Sequence, residues 1–190
     1  SGTSVYWDFV ELPSQILENW CYEKETLELF ATHYETGEVI PMELVEKIKD
    51  SATFHEGMQT LRQLSFGLLD MSWHGADPSN IEDVKAFEKA AFEHTSLYPD
   101  VAENCMSTSF SHIFQGGYSA GYYSYKWAEV LDADAFEAFK EKGIFNREIA
   151  NVFRENILEK GGSEHPMDLY KKFRGQEPNA DALLKRAGLD

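Results

Sequence analysis

The chain has 190 residues, 43% of them apolar and 14% aromatic, and carries a formal charge of −16 from 33 acidic against 17 basic side chains. This is a globular composition of single-domain length, since a disordered chain lacks the apolar and aromatic surface that offsets chain entropy. A field of that sign repels phosphate backbones and anionic lipid, so neither nucleic acid nor a membrane is expected as a partner.

No apolar run approaches the roughly 20 residues needed to cross a bilayer. Residues 1–12 show neither the basic start nor the apolar stretch of a secretory signal. Cys21 and Cys105 stand far apart, outside any Cys-x-x-Cys pattern, and are expected to be free thiols in a reducing compartment. The cytoplasm is the expected location, with the periplasm as the alternative.

Taken in chain order, the spacing predicts a mostly helical protein. Phe9, Leu12, Ile16, Leu17 and Trp20 recur at three and four residues, and the pattern continues through Leu27 and Phe30 to stop near Gly37. Pro13 fits the first turn of a helix and would kink it elsewhere. Pro41 opens a second helix with Leu44, Val45 and Ile48 on its apolar side. A third spans about 53–73 with Met58, Leu61, Leu64, Leu68 and Leu69 inward. The turn Gly75–Asn80 offers polar caps to a fourth helix that carries Val84, Phe87, Ala91 and Phe92.

Residues 96–109 read as loop. From Tyr125, through Ala128, Glu129 and Leu131, a helix runs to about Gly143. Asn146 is placed to cap a further helix with Ile149, Val152, Phe153 and Ile157 inward, stopped by Gly161 and Gly162. A last helical pair falls near 166–174 and 180–187. Strands are not excluded in the first eight residues, and one all-α unit is the coarse expectation.

The search for chemistry begins with the six histidines, because zinc sites favour His and acidic ligands. His55-Glu56 matches the first half of His-Glu-x-x-His, but the fifth position is Gln59, so the motif fails and the pair reads as a solvated helix start. His33, His74, His94 and His165 have no partner at ligand spacing and read as surface or helix-end residues. No phosphate loop and no Gly-x-Ser-x-Gly nucleophile motif occurs.

Two segments remain chemically unusual. In Trp7-Asp8-Phe9-Val10-Glu11-Leu12, acids sit among bulky apolar side chains, and a buried carboxylate needs a partner or a metal. Glu11 is therefore either a helix-start acid at the surface or a metal ligand. The second segment is Ser111-His112 followed by Gln115-Gly116-Gly117-Tyr118-Ser119-Ala120-Gly121-Tyr122-Tyr123-Ser124-Tyr125. Tyr hydroxyls on a Gly-rich loop can donate to a developing oxyanion, with His112 assisting. The alternative is that the tyrosines pack by their rings while Gly permits close helix contact.

These residues carry a resemblance. Gly2-Thr3-Ser4-Val5-Tyr6-Trp7-Asp8-Phe9-Val10-Glu11-Leu12-Pro13-Ser14-Gln15 with Glu18-Asn19-Trp20 resembles the segment after the zinc motif in the metallopeptidase family of thimet oligopeptidase, oligopeptidase A and the peptidyl-dipeptidases. Arg62-Gln63-Leu64 with Leu69-Asp70-Met71-Ser72-Trp73-His74 is similar to the peptidyl-dipeptidase branch. His112 to Tyr118 and Gly121 to Tyr125 resemble the family's substrate loop, and Phe173-Arg174-Gly175-Gln176-Glu177-Pro178 with Ala182-Leu183-Leu184 its C-terminus.

The resemblance implies an all-α, zincin-like helical metallopeptidase fold of the neurolysin type, of which residues 1–190 are the C-terminal part of the catalytic domain. It implies zinc-dependent hydrolysis of short peptides by the intact parent, with Glu11 as a zinc ligand. His112, Tyr118 and Tyr125 take catalytic and substrate-binding roles by the same carry-over, and Tyr122, Gly116 and Gly117 line the substrate site. The family's His-Glu-x-x-His is not among these 190 residues. One carboxylate does not hold zinc at useful affinity, so this chain alone is expected to be inactive and to bind Zn2+ weakly. The alternative is a non-catalytic helical scaffold or peptide-binding module of peptidase ancestry. Apolar surface normally covered by the rest of the parent would favour self-association of the 190 residues.

Overall fold

Apolar residues at helical spacing form helices along most of the chain, seen in a computed structural model that describes residues 4–189. The helices are α1 (Trp7–Val10), α2 (Leu12–Glu18), α3 (Lys24–Phe30), α4 (Met42–Ala52), α5 (Glu56–Gly75), α6 (Val84–Ala91), α7 (Ser111–Phe114), α8 (Ser124–Lys142), α9 (Arg147–Phe153), α10 (Pro166–Arg174) and α11 (Asp181–Arg186). Among the described residues no strand forms, only an isolated bridge between Thr32 and Val39. The expected all-α class holds, and residues 1–3 of the opening segment lie outside the described residues.

The long first helix expected from residue 9 to beyond 30 is instead broken into short pieces. Pro13 lies in the first turn of α2, where its missing N–H costs nothing, and Glu11 is the turn residue between α1 and α2. A 3₁₀ turn at Asn19–Tyr22 follows, and Glu23 is extended before α3. Leu17 and Phe30, expected inward, are exposed. So are Leu44, Ile48, Met58, Leu64, Leu68 and Val84, whereas Val45 and Leu69 are buried. Helical period identifies a shared face; it does not say that a neighbour covers all of it.

The chain divides into two compact units, one formed by residues up to 54 together with those from 128 on, the other by His55–Trp127. In the first unit the Ala128–Lys142 part of α8 is the central element. Leu131, Asp132, Ala133, Asp134, Ala135 and Phe136 are buried in succession, so neighbours cover this helix on every side. Phe136 and Phe139 pack edge-on against Trp20, and Phe139, Phe153 and Phe173 form a further aromatic chain.

Burying two carboxylates on one helix demands donors from other segments. Asp132 accepts from Asn19 Nδ2 at 3.0 Å and from Arg186 Nη1 at 2.6 Å, tying α11 and the Asn19 turn to α8. Asp134 accepts from the Tyr170 hydroxyl at 2.6 Å and pairs with Arg174 at 3.5 Å, tying α10 to the same helix. Asn146 caps α9 as expected, its Oδ1 accepting from Glu148 N at 2.8 Å. Past Phe153 that helix widens into a π-helical turn at Arg154–Leu158.

In the second unit, Leu69, Phe110 and Ile113 form the centre, with Phe66, Trp73, Ala91, Phe92, Met106 and Tyr122 packed around them. The turn at 75–80 does not cap α6 as expected. Asp77 caps the short 3₁₀ turn Pro78–Asn80, and Asp83 caps α6 through Lys85 N and Ala86 N. Buried Glu88 accepts from Met106 N, Ser107 N and Ser107 Oγ at 2.6–2.8 Å and so anchors part of the 96–109 loop. Both cysteines are free.

Tyr170 is fully buried, and burial, followed by its bond to Asp134, pushes the phenol well above the ordinary tyrosine value. Tyr170→Phe strips a donor from buried Asp134 and is expected to cost about 1–3 kcal/mol in denaturant unfolding. The sign of the pH effect follows from the raised folded value. The contribution is present below pH ~10, where the unfolded phenol keeps its proton, and declines above it as the unfolded state ionises first. The stability gap between wild type and Tyr170→Phe should therefore narrow above pH ~10.

Candidate active site

The Gly/Tyr segment is shaped by backbone requirements before any side chain acts. After α7, Gln115 N and Gly116 N both donate to Ser111 O, at 2.7 and 2.8 Å, and Tyr118 N donates to His112 O at 3.1 Å. The chain thus curls back onto His112. A Cβ on Gly116 would lie 2.8 Å from both Cα and O of His112, closer than real contacts allow. Gly117 follows at φ +84°, in the left-handed region that favours glycine.

The curl brings the expected residues together. Ring centroids of His112 and Tyr118 are 5.9 Å apart, and those of His112 lie 6.3 Å from both Tyr122 and Tyr125. Tyr118 stacks on Tyr125 at 5.0 Å, and Tyr122 meets Tyr125 at 5.1 Å. His112 is exposed while Tyr118, Tyr122 and Tyr125 are half-buried. Partial burial, then the neighbouring Tyr125, raises the Tyr122 phenol above its ordinary value, against a smaller opposing pull from Arg62. Tyr122 is therefore a hydrogen-bond donor at neutral pH. The ring contacts bear out the packing of these tyrosines, and ring packing does not by itself engage a phenol hydroxyl.

Glu11 belongs to the first unit. It is half-buried, and Ser14 Oγ donates to its Oε2 at 2.8 Å. A carboxylate oxygen is a suitable donor to a divalent ion. Among the described residues, however, no group of three or more His, Cys, Asp or Glu side chains stands ready to hold a metal. Glu11 is one donor, and the described residues do not by themselves make a metal site.

The remaining histidines follow the surface and helix-end reading, and for His74 only the expected lack of a partner is overturned. His165 Nδ1 caps α10 at Met167 N, and His33 Nδ1 accepts from the backbone of Glu35 and Thr36. His55 stands before α5 in a left-handed conformation. His74 does have a partner: its Nδ1 lies 2.8 Å from Oδ1 of fully buried Asp70. The two carboxylate oxygens of Asp70 also accept from Ala120 N at 2.9 Å and Tyr122 N at 2.8 Å. The sequence signal for this pair is an acid and a His four residues apart on one helix, a spacing passed over in a stretch read for its apolar face and its family likeness.

A helical scaffold that presents a histidine and a set of tyrosines on a glycine-shaped loop matches a known class. The family model described as peptidase family M3 covers residues 1–189, and the chain belongs to that family. Oligopeptidase A of Escherichia coli K12 is 50% identical over 192 residues, covering 100% of this chain and 28% of that protein. Dipeptidyl carboxypeptidase of Salmonella typhimurium LT2 is 41% identical, over 100% of this chain and 28% of that protein. Saccharolysin of Saccharomyces cerevisiae is 37% identical, over 98% and 26%. The chain therefore spans little more than a quarter of the length of these relatives. The expected leaning towards the peptidyl-dipeptidase branch, read from residues 62–74, is corrected by these identities, which over the whole chain are higher to this oligopeptidase A than to this dipeptidyl carboxypeptidase.

Gly116→Ala forces its Cβ against backbone atoms that cannot swing away, and is expected to destabilise the His112–Tyr118 curl by about 1–3 kcal/mol. Gly57→Ala, in α5 with open space around it, serves as the control and should be neutral or gain about 0.5–1 kcal/mol. Thermal unfolding, with hydrogen exchange over residues 111–118, separates the two.

Proposed function

We propose that these 190 residues are the C-terminal part of the catalytic domain of a zinc metallopeptidase that hydrolyses short peptides. The observation that carries the reading is the juxtaposition of His112, Tyr118, Tyr122 and Tyr125 on one glycine-shaped loop, in a chain of peptidase family M3. Relatives bear the names oligopeptidase A and dipeptidyl carboxypeptidase, both of which denote action on peptides.

In this reading Glu11 supplies one ligand of a site completed by a His-Glu-x-x-His elsewhere in the parent. Zinc, when bound, supplies a polarising charge at the scissile carbonyl and an acidified water. The chain's own residues do the rest. Tyr125 and His112 donate to the oxyanion that develops on the carbonyl oxygen. Tyr118 holds the substrate main chain, Tyr122 lines the site as a protonated phenol, and Gly116 and Gly117 let the backbone lie close to a bound peptide. Oxyanion donors act by being in place before charge develops, which is why a loop so tightly bonded to itself supports the role.

The reading includes a cytoplasmic location, supported by two free thiols. Among the described residues no helix is long and apolar enough to cross a membrane. It also includes covering of the exposed apolar residues Met58, Leu64, Leu68 and Met71 of α5 by the rest of the parent, so that the 190 residues alone self-associate.

The test is made on the intact parent with short synthetic peptides. Turnover should be abolished by a chelator and restored by zinc, and Glu11→Gln should lower zinc content. Tyr125→Phe should cut kcat by about 10²–10³-fold, the loss typical of one oxyanion donor, with zinc content unchanged. The isolated 190 residues should show no turnover. Equal kcat for wild type and Tyr125→Phe would remove Tyr125 from the mechanism. A parent that binds peptide without cleaving it would leave the non-catalytic binding module as the correct description.

A further inference from the structure

We infer that Asp70 is a positioning residue for the tyrosine loop, its buried carboxylate setting where Tyr118, Tyr122 and Tyr125 lie relative to one another. The inference rests on the peptidase reading for its catalytic consequence, but its geometry stands on its own.

Asp70 lies on α5 with no exposed surface. A carboxylate there must be fully partnered, and its partners are specific. Oδ1 accepts from Ala120 N at 2.9 Å and Oδ2 from Tyr122 N at 2.8 Å, so two loop amides separated by one residue each take a different oxygen. His74 Nδ1 lies 2.8 Å from Oδ1 and 3.0 Å from the Asp70 backbone carbonyl. Both neighbours of that nitrogen accept, so Nδ1 carries the proton and His74 holds the carboxylate in its rotamer.

The loop conformation depends on this arrangement. Ala120 has φ +53°, a left-handed backbone that a residue with a Cβ adopts only when its surroundings compel it. The next turn closes from Gly121 N to Tyr118 O at 2.9 Å, and a Cβ on Gly121 would already sit 3.4 Å from that oxygen. Phe66, one turn before Asp70 on α5, packs on Tyr122 at 5.7 Å. Tyr125 is then set by its own ring contacts to Tyr118 and Tyr122. One side chain thus determines where the Tyr118 end of the loop stands relative to the Tyr125 end.

An amide cannot replace it. Asparagine at 70 keeps one acceptor oxygen and turns an NH2 group towards the second loop N–H, a donor against a donor. In the intact parent, Asp70→Asn is expected to speed hydrogen exchange at the amides of residues 118–124. It should also lower kcat by on the order of tenfold to a hundredfold, the scale of a misplacement near 1 Å, with zinc content unchanged.

A residue that acts through Tyr125 loses its effect when Tyr125 has no hydroxyl to position. In a Tyr125→Phe background, Asp70→Asn should therefore cause a clearly smaller further fold-loss in kcat, the remainder acting through Tyr118 and Tyr122. The same fold-loss in both backgrounds, or unchanged exchange and kcat in the wild-type background, overturns the inference. Should Asp70→Asn alone not fold, it is combined with Ala120→Gly, which takes the left-handed turn without strain, and compared with Ala120→Gly by the same two criteria. If the wild-type parent cleaves no peptide, it is the peptidase reading that fails, and the exchange measurement still decides whether Asp70 holds the loop.

Discussion

A carboxylate taken out of water must be given donors, and in this protein Asp70, Glu88, Asp132 and Asp134 answer that demand by tying distant segments to helices. Each is buried, and each reaches residues far away in sequence. Asp132 collects Asn19 and Arg186, and Asp134 collects Tyr170 and Arg174. Glu88 takes the backbone of Met106 and Ser107, and Asp70 the backbone of Ala120 and Tyr122. Apolar contacts supply most of the burial, but they are non-directional. The carboxylates add direction, and both partners are costly to leave unpaired.

The consequence falls on a loop with little regular structure of its own. Between α7 and α8 the chain has few helical bonds to hold it. It is fixed instead by a close glycine approach at Gly116, by the Ser119 hydroxyl on Ile113 O at 2.6 Å, and by the Asp70 carboxylate. In the proposed peptidase reading, side chains that meet a developing charge gain most when they need not reorganise, and backbone anchoring of this kind provides that condition. The Tyr122 ring packs on Phe66 and Phe110, and Tyr125 packs in turn on Tyr122 and Tyr118.

Much of the helical content was legible because helices obey a period. The helices at Ser124–Lys142, Pro166–Arg174 and Asp181–Arg186 fall where spacing and stop signals put them, and Asn146 caps as its type predicts. The inward faces were read less well. Leu17, Phe30, Leu64 and Leu68 share faces with buried residues yet stay exposed, because burial depends on a neighbour and spacing carries no information about neighbours. The first helix broke at Glu11 and again before α3, where proline and an extended residue outweigh a continuous apolar pattern.

By itself the sequence determined the helical class, the two unpaired cysteines and the family, since motif order and residue type survive without coordinates. It also marked the segment from His112 to Tyr125 as unusual, because tyrosines among glycines make a poor helix start, and the family resemblance picked out His112, Tyr118, Tyr122 and Tyr125 within it. Only the tertiary structure decided that these four share one cluster and that Asp70 and His74 stand beneath it. Asp70 and Tyr122 are 52 residues apart, and no local pattern encodes which backbone amide a buried carboxylate will meet. That pairing arises when α5 and the loop pack together, because both Asp70 oxygens and both amides must find partners once water is excluded.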